Sequence, residues 1–313
     1  MAKVNYQSNR KNLVRKVALK IGQNSVMQYA FDVPTPLAYF SLLVSSDEHF
    51  PLLEAAVAIA LDEYPELDVE LVLGEVDQLL ARLKRRLPSD STSLVKLRLL
   101  NQFFYHDLGF SGNVNNYYDP DNSYPHVVLK TRRGIPISLA VLWLELAQGL
   151  GLNARGVAFP GHFMVKVNLP KGQVVIDPFT GQSLSREDLN ERLMPFKQLN
   201  DVPESEMAEA DIPLGLYLQS AKPRDIITRM LHNLKEVHKT AEDWQRMIPV
   251  QDRQIALNPD AWSEYRDRGL AFAELGKATA AVRDFDVYLL NVTDAPDVKA
   301  IALRAQELRR AVI

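Results

Sequence analysis

The chain has 313 residues, a length that favours two packed units. Hydrophobic residues make up 47% of it and charged residues 24%, so disorder and fibrous repeats are excluded. The net charge of -3 provides no general attraction for nucleic acid or anionic lipid, and neither is expected as a partner. Because the sequence contains no cysteine, it excludes disulfides, thiolate metal sites and thiolate nucleophiles.

The N-terminal segment, residues 1–39, is predicted to be loosely ordered. Most of it is polar and irregular, and Pro34 and Pro36 near its end are typical of a boundary before the first helix. Residues 1–28 contain no apolar run typical of a secretory signal, so a cytoplasmic location is expected. No apolar stretch approaches the roughly 20 residues that a membrane span needs, so no membrane association is expected.

Helices are predicted next, from apolar residues that recur at helical spacing in 52–64, 69–86 and 93–105. Residues 109–125 are rich in Gly, Asn, Asp, Pro and Tyr, which predicts a long structured loop and a candidate wall of a functional site.

The middle of the chain combines one apolar helix with several strands. The helix is predicted at 137–150, and strands are predicted at 127–130, 154–159, 162–169 and 173–177. A helix followed by consecutive hairpin strands is typical of an α+β domain with helices on one face of the sheet.

Two residues of the predicted hairpin carry candidate chemistry. If the turn centres on Pro170 and Lys171, facing residues have numbers that sum to about 341, which brings His162 within reach of Asp177. The carboxylate would then orient an imidazole that acts as a general base. The alternative is a purely structural hydrogen bond at a strand edge.

Ser138 begins the apolar helix directly after Gly134, Ile135 and Pro136. Free backbone N–H groups at a helix N-terminus stabilise developing negative charge, so a nucleophile would be well placed there. The alternative is a serine that only satisfies one of those donors.

Three further residues are candidate substrate contacts: Tyr117 and Asp119 in the long loop, and Arg133 just before the apolar helix. The alternative for Arg133 is that it forms, with Arg132, a pair of solvent-exposed charges that binds no substrate. His126 is a candidate metal ligand together with His162 and Asp177. These residues come from separate elements without the usual ligand spacing, so neither a metal nor a cofactor is predicted.

The C-terminal part, residues 219–313, reads as all-helical. The spacing of its apolar and small residues matches that of a tetratricopeptide repeat. The matching residues are Tyr265, Gly269, Phe272, Ala281 and Phe285. The upstream copy is degenerate, because Lys235 stands where the small residue belongs. One or two repeats are too few to bury the apolar faces of their own helices. This unit is therefore expected to dock on the preceding domain or to bind a still unidentified protein partner through its helices.

Three motifs, RRGIPISLAVLWLELAQGLGL, GVAFPGHFMVKV and VVIDPFTGQSLS, resemble the transglutaminase-like core of SirB-type bacterial proteins over residues 40–290 or so. The resemblance implies a papain-like α+β core at 40–218 with N-terminal helices, followed by tetratricopeptide-like helices at 219–313. In that superfamily the helix carries a nucleophilic cysteine and the next two strands carry histidine and aspartate. Ser138, His162 and Asp177 stand at the matching positions.

Because serine stands in place of the nucleophilic cysteine, two hypotheses for the function have to be compared. An alcohol is a much weaker acid than a thiol, so cysteine-type acyl transfer is expected to be greatly weakened. We therefore expect a protein-interaction module with a degenerate catalytic site. The alternative is an acyl transferase or amide hydrolase that uses Ser138 as nucleophile, His162 as base and Asp177 as orienting residue.

Overall fold

The computed structural model describes residues 34–198 and 213–312. The predicted N-terminal segment 1–39 therefore lies mostly outside the described residues. In the described ranges the helices are Pro36–Leu43 (α1), Leu52–Ala58 (α2), Val69–Lys84 (α3), Ser93–Asn101 (α4), Pro125–Thr131 (α5), Pro136–Gly149 (α6), Arg186–Gln198 (α7), Leu214–Tyr217 (α8), Pro223–Thr240 (α9), Trp244–Leu257 (α10), Trp262–Glu274 (α11), Ala278–Asn291 (α12) and Val298–Val312 (α13). The strands are Ser111–Gly112 (β1), Arg133–Gly134 (β2), Ala154–Val157 (β3), Met164–Leu169 (β4), Gly172–Ile176 (β5) and Ser183–Leu184 (β6).

The main sheet is an antiparallel meander in the order β3-β4-β5-β6. Its β4-β5 hairpin turns at Pro170 and Lys171 and pairs Val165 with Ile176, which confirms the predicted register. The turn fixes this register because a slip of one residue would move every side chain of the strand to the other face. Strands β1 and β2 form a separate short parallel pair.

Helix α6 lies at the centre of the protein, with nearly all of its side chains buried. Pro136 occupies its first turn, where the missing N–H costs no hydrogen bond. The helix is apolar on every side, which is typical of a helix surrounded by other elements. Trp143 is completely buried, and its Nε1 donates to Asn101 Oδ1 at 3.0 Å.

The prediction of a strand at 127–130 is wrong, because these residues lie in helix α5. Pro125 starts the helix with a pre-set backbone angle, and Arg132 ends it in the left-handed conformation (φ 62°). Val128 and Leu129 are both buried in the main core. Tertiary burial has thus overridden the strand preference of two adjacent valines.

The C-terminal helices join the rest of the molecule through α9 and α10, since Val250 and Leu257 of α10 also belong to the main core. Helix α9 contributes most of this contact. Its residues Ile227, Met230 and Leu231 are fully buried in the same hydrophobic core as α6. Helices α12 and α13 instead form a smaller cluster around Phe285. A Cβ at Gly269 would lie 2.6 Å from the Phe285 ring, which explains why the repeat has glycine at this position.

Together these elements confirm the α+β class, with a part that combines helices and a four-stranded sheet followed by a helical part. From Thr35 onward the described chain clusters into one compact unit, since α9 is shared with the main core. The boundary at 218 and 219 stays a prediction. Within the described ranges, no helix has the length and apolar character needed to cross a membrane.

Candidate functional site

The hairpin brings His162 and Asp177 together. His162 follows Gly161, which turns the chain in the left-handed conformation (φ 67°), and Asp177 follows the last residue of β5. The Nε2 atom of His162 lies 2.8 Å from Oδ1 of Asp177. Asp177 is almost completely buried, whereas the His162 side chain keeps 22% of its surface exposed. The pair is thus accessible only from the histidine side.

Asp177 has two further partners. The backbone N–H of Phe179 donates to the same Oδ1 atom at 2.9 Å, and Arg192 donates to Oδ2 at 3.1 Å. Burial alone would raise the pKa of the Asp177 carboxyl. The hydrogen bond and charge of His162, the bond from Phe179 and the charge of Arg192 outweigh burial, so this pKa lies below its usual value. Asp177 is therefore a stable carboxylate that orients the imidazole.

The other ring nitrogen of His162, Nδ1, has no hydrogen-bond partner among the described residues. With the Nε2–H group directed to Asp177, Nδ1 carries the lone pair and is free to accept a proton. Histidine and aspartate thus have the geometry of a general base with its orienting carboxylate.

Ser138 has a different environment. It is completely buried, and its Oγ lies 2.5 Å from the Asn122 carbonyl oxygen and 3.0 Å from the Ile135 carbonyl oxygen, both hydrogen-bond acceptors. The same Oγ accepts from the Ile135 backbone N–H at 3.2 Å. The hydroxyl thus ties the long loop to the start of α6. None of these bonds involves His162, and the nucleophilic role of Ser138 stays a prediction.

The three candidate substrate contacts have unequal surroundings. The Tyr117 side chain is 42% exposed, and its ring centre lies 6.0 Å from that of Phe179, close to Asp177 in the sequence. Asp119 instead accepts from the backbone N–H of Asp121 and from the side chain of Asn116. Arg133 donates to the carbonyl oxygens of Gly109 and Arg132. Asp119 and Arg133 are thus held by their own loops, and their substrate contacts stay predictions.

The sequence interpretation missed two residues beside Asp177. Arg192 lies on α7, fifteen residues after Asp177, and no local pattern marks it as a partner. The hydroxyl of Tyr105 is buried and has no partner in the described part of the chain. Burial and, to a lesser degree, the charge of Asp177 raise the pKa of Tyr105, so the phenol stays neutral.

No cluster of three or more histidine, aspartate or glutamate side chains in the described ranges is arranged to hold a metal ion.

Two family models match the chain. The model of the transglutaminase-like superfamily matches residues 70–232, and a tetratricopeptide-repeat model matches residues 234–306. The two matches meet inside α9, the helix that the main core and the C-terminal helices share.

Similar proteins are found in several bacteria. A UPF0162 protein of Xylella fastidiosa (strain 9a5c) is 39% identical over 80% of this chain and 86% of the relative. A UPF0162 protein of Vibrio cholerae is 27% identical over 84% of this chain and 95% of the relative. The UPF0162 protein YchA of Escherichia coli (strain K12) is 29% identical over 75% of this chain and 81% of the relative. No solved structure matches the chain.

Proposed function

Since the chain belongs to the transglutaminase-like superfamily and, within it, to the UPF0162 proteins, we propose that it is a protein-interaction module whose catalytic site no longer performs acyl transfer. The superfamily scaffold then serves to hold the C-terminal helices and to present a surface. Membership of the SirB-type group and a cytoplasmic location belong to the same proposal.

The observation that carries this proposal is the environment of Ser138. A nucleophile needs its oxygen next to a base and open to the substrate. The Ser138 Oγ is instead completely buried, and two backbone carbonyl oxygens and one backbone N–H surround it. To attack a substrate, the hydroxyl would have to give up its own bonds to Asn122 and Ile135.

The surface that we assign to a protein partner is the exposed side of the C-terminal helices. Leu270 on α11 is 38% exposed and Leu303 on α13 is 59% exposed, whereas the repeat residues Ala281 and Phe285 are fully buried. Tetratricopeptide helices commonly bind peptides across such surfaces, since stacked repeats form extended concave faces. The repeat-model match to residues 234–306 supports this assignment.

Site-specific photo-crosslinking in cells tests the interaction. A photo-reactive amino acid is placed at Leu270 or at Leu303, and the control carries it at Leu71, which is 67% exposed on α3. We expect a discrete crosslinked protein from the two C-terminal positions only. Equal products from position 71, or none from positions 270 and 303, would refute a partner surface on these helices.

A fluorophosphonate labelling assay tests the loss of catalysis. We expect no labelling of the wild type beyond that of Ser138→Ala. Labelling that maps to Ser138 and disappears in both Ser138→Ala and His162→Ala would show a working nucleophile and contradict the proposal.

One observation favours a second function, an acyl transferase or amide hydrolase with a Ser138, His162 and Asp177 triad. The histidine and aspartate are 2.8 Å apart, and Nδ1 of the imidazole is free to act as a base. This function requires Ser138 to turn away from Asn122 when substrate binds. The labelling assay above decides between the two functions, because only the triad makes the modification of Ser138 depend on His162.

A further inference from the structure

A cleft separate from His162 lies where helices α9 and α10 meet the short 3₁₀ turn Ile59–Asp62 that follows α2. It has a volume of about 710 Å³. Tyr124 and His238 contribute polar atoms to its wall, and Ile59, Pro249 and Val250 contribute apolar surface. Clefts of a few hundred Å³ with a few convergent polar groups are typical of small-molecule sites.

The protein leaves the polar groups of both side chains free for hydrogen bonding. Tyr124 and His238 are each only 3% exposed. Among the described residues, neither the Tyr124 hydroxyl nor a ring nitrogen of His238 forms a hydrogen bond, and neither is a fully buried polar atom. Groups of this kind in a cleft wall are able to bond a ligand. The edge contact with Tyr64, at 5.6 Å between ring centres, holds the Tyr124 ring in place.

The charged side chains of the cleft are already paired with one another. Arg246 bonds Glu63 at 2.6 Å, and the guanidinium of Arg253 bonds Asp62. The carboxylate of Asp243 accepts the backbone N–H of Arg246 at 3.1 Å. No unpaired cation of the described wall is thus available to an anion, and an anionic ligand would have to displace a carboxylate from its arginine.

His238 adds a neutral group. Burial lowers the pKa of its imidazole, which the charge of Asp243 opposes and that of Arg246 reinforces. At neutral pH the ring therefore offers one donor and one acceptor rather than a charge.

We propose that this cleft binds an uncharged, hydroxyl-bearing small molecule of the size of a nucleoside or a disaccharide. Its hydroxyl or amide groups bond the Tyr124 hydroxyl and the His238 imidazole, and one face of its ring packs on Ile59, Pro249 and Val250. The site uses none of the residues around His162, so it does not depend on the function proposed for them.

The test is a binding titration with named probes, followed by NMR of the histidine ring signals in the full chain. Adenosine and maltose are the uncharged probes and distinguish nucleosides from sugars, and AMP is the anionic match of adenosine. We expect adenosine or maltose to shift the His238 ring signals. Where adenosine binds, AMP should bind at least about tenfold more weakly, since no free cation compensates its phosphate.

Two variants test the contacts. Tyr124→Phe removes only a hydroxyl that has no protein partner, so it should weaken binding about threefold to tenfold while leaving the thermal midpoint unchanged. The matched control is Tyr118→Phe, at an exposed tyrosine elsewhere, which should change neither quantity. Glu63→Gln removes the nearer of two carboxylates that pair with Arg246, so it should strengthen the binding of AMP while leaving that of an uncharged probe unchanged.

Three results would overturn the proposal. The first is that neither uncharged probe shifts the His238 signals. The second is that AMP binds the wild type as tightly as adenosine. The third is that Tyr124→Phe lowers the thermal midpoint while binding stays unchanged, which would give the hydroxyl a structural role instead.

Discussion

Helix α6 and helix α11 each lie inside a helical layer, but different forces hold them. Around α6 the contacts are apolar, and Trp143, Leu139 and Ala140 are completely buried. Around α11 the apolar contacts with the Phe285 cluster are joined by buried charge pairs. Arg268 bonds both oxygens of Asp284, at 2.7 and 2.8 Å, and bonds Asp252 at 2.6 Å.

The degenerate position of the upstream repeat belongs to the same charged network. Lys235 is buried and lies 2.6 Å from both Glu264 and Asp267. A lysine is tolerated where the repeat pattern has a small residue because two carboxylates of the next helix compensate its charge. The apolar core thus encloses Ser138, whose hydroxyl bonds backbone groups, whereas the C-terminal helices combine an apolar cluster with buried charge pairs.

Trp143→Ala gives the largest expected effect in the apolar region. The ring is completely buried and its Nε1 bonds Asn101, so the variant should lose about 3 to 5 kcal/mol of unfolding free energy. Urea denaturation measures the loss, with Trp244→Ala at a partly exposed tryptophan as the control. An unchanged midpoint for Trp143→Ala would mean that α6 is not the centre of the core.

Lys235→Met should cost about 3 kcal/mol, because it leaves Glu264 and Asp267 without their cation while keeping the apolar stem. The triple variant Lys235→Met, Glu264→Gln, Asp267→Asn should recover much of this stability. Arg309→Met removes an ion pair with Asp286 whose partners are both about half exposed, and should cost less than about 1 kcal/mol. Equal losses for Lys235→Met and Arg309→Met would contradict the contrast between the two regions.

Ser138→Ala should destabilise the protein by about 1 to 3 kcal/mol, because it removes a buried hydroxyl that donates to backbone carbonyl oxygen and accepts from the Ile135 N–H. Ser45→Ala is the control, since the Ser45 hydroxyl bonds the Leu42 carbonyl at an exposed site. Thermal denaturation compares the two. A Ser138→Ala variant as stable as the wild type would remove the evidence for a structural hydroxyl.

The smallest expected effect is a pH dependence from Asp177. Since the folded pKa lies below the ordinary unfolded value of about 3.9, the carboxylate adds stability above that value, and this stability is lost as pH falls through the folded pKa. The stability difference between wild type and Asp177→Asn should therefore shrink as pH falls from about 5 to 3. Asp90→Asn, at an exposed site, is the matched control. A constant difference for Asp177→Asn would contradict the charge-based stabilisation.

Local signals in the sequence were sufficient for the hairpin. A Pro-Lys turn between two alternating strands fixes the β4-β5 register, and the register then places His162 against Asp177. The repeat residues Gly269 and Phe285 were equally predictable, because their contact follows from the repeat itself.

Long-range packing decided what the sequence could not predict. The strand predicted at 127–130 became helix α5 because Val128 and Leu129 are buried against the core. Arg192 reaches Asp177 through the position of α7, and Ser138 bonds a carbonyl sixteen residues earlier in the chain. Such partners depend on how distant segments fold together, which periodicity and turn residues do not specify.

The most direct test of the central claim, that Ser138 is a structural residue and not a poised nucleophile, uses the absence of cysteine from the sequence. Ser138→Cys introduces a single thiol, whose alkylation by iodoacetamide is followed against pH with and without His162→Ala. Our account predicts slow alkylation with a thiol pKa at or above the ordinary value of about 8.5, unaffected by His162→Ala. A thiol pKa well below that value, restored to normal by His162→Ala, would show a site poised for acyl transfer and contradict the account.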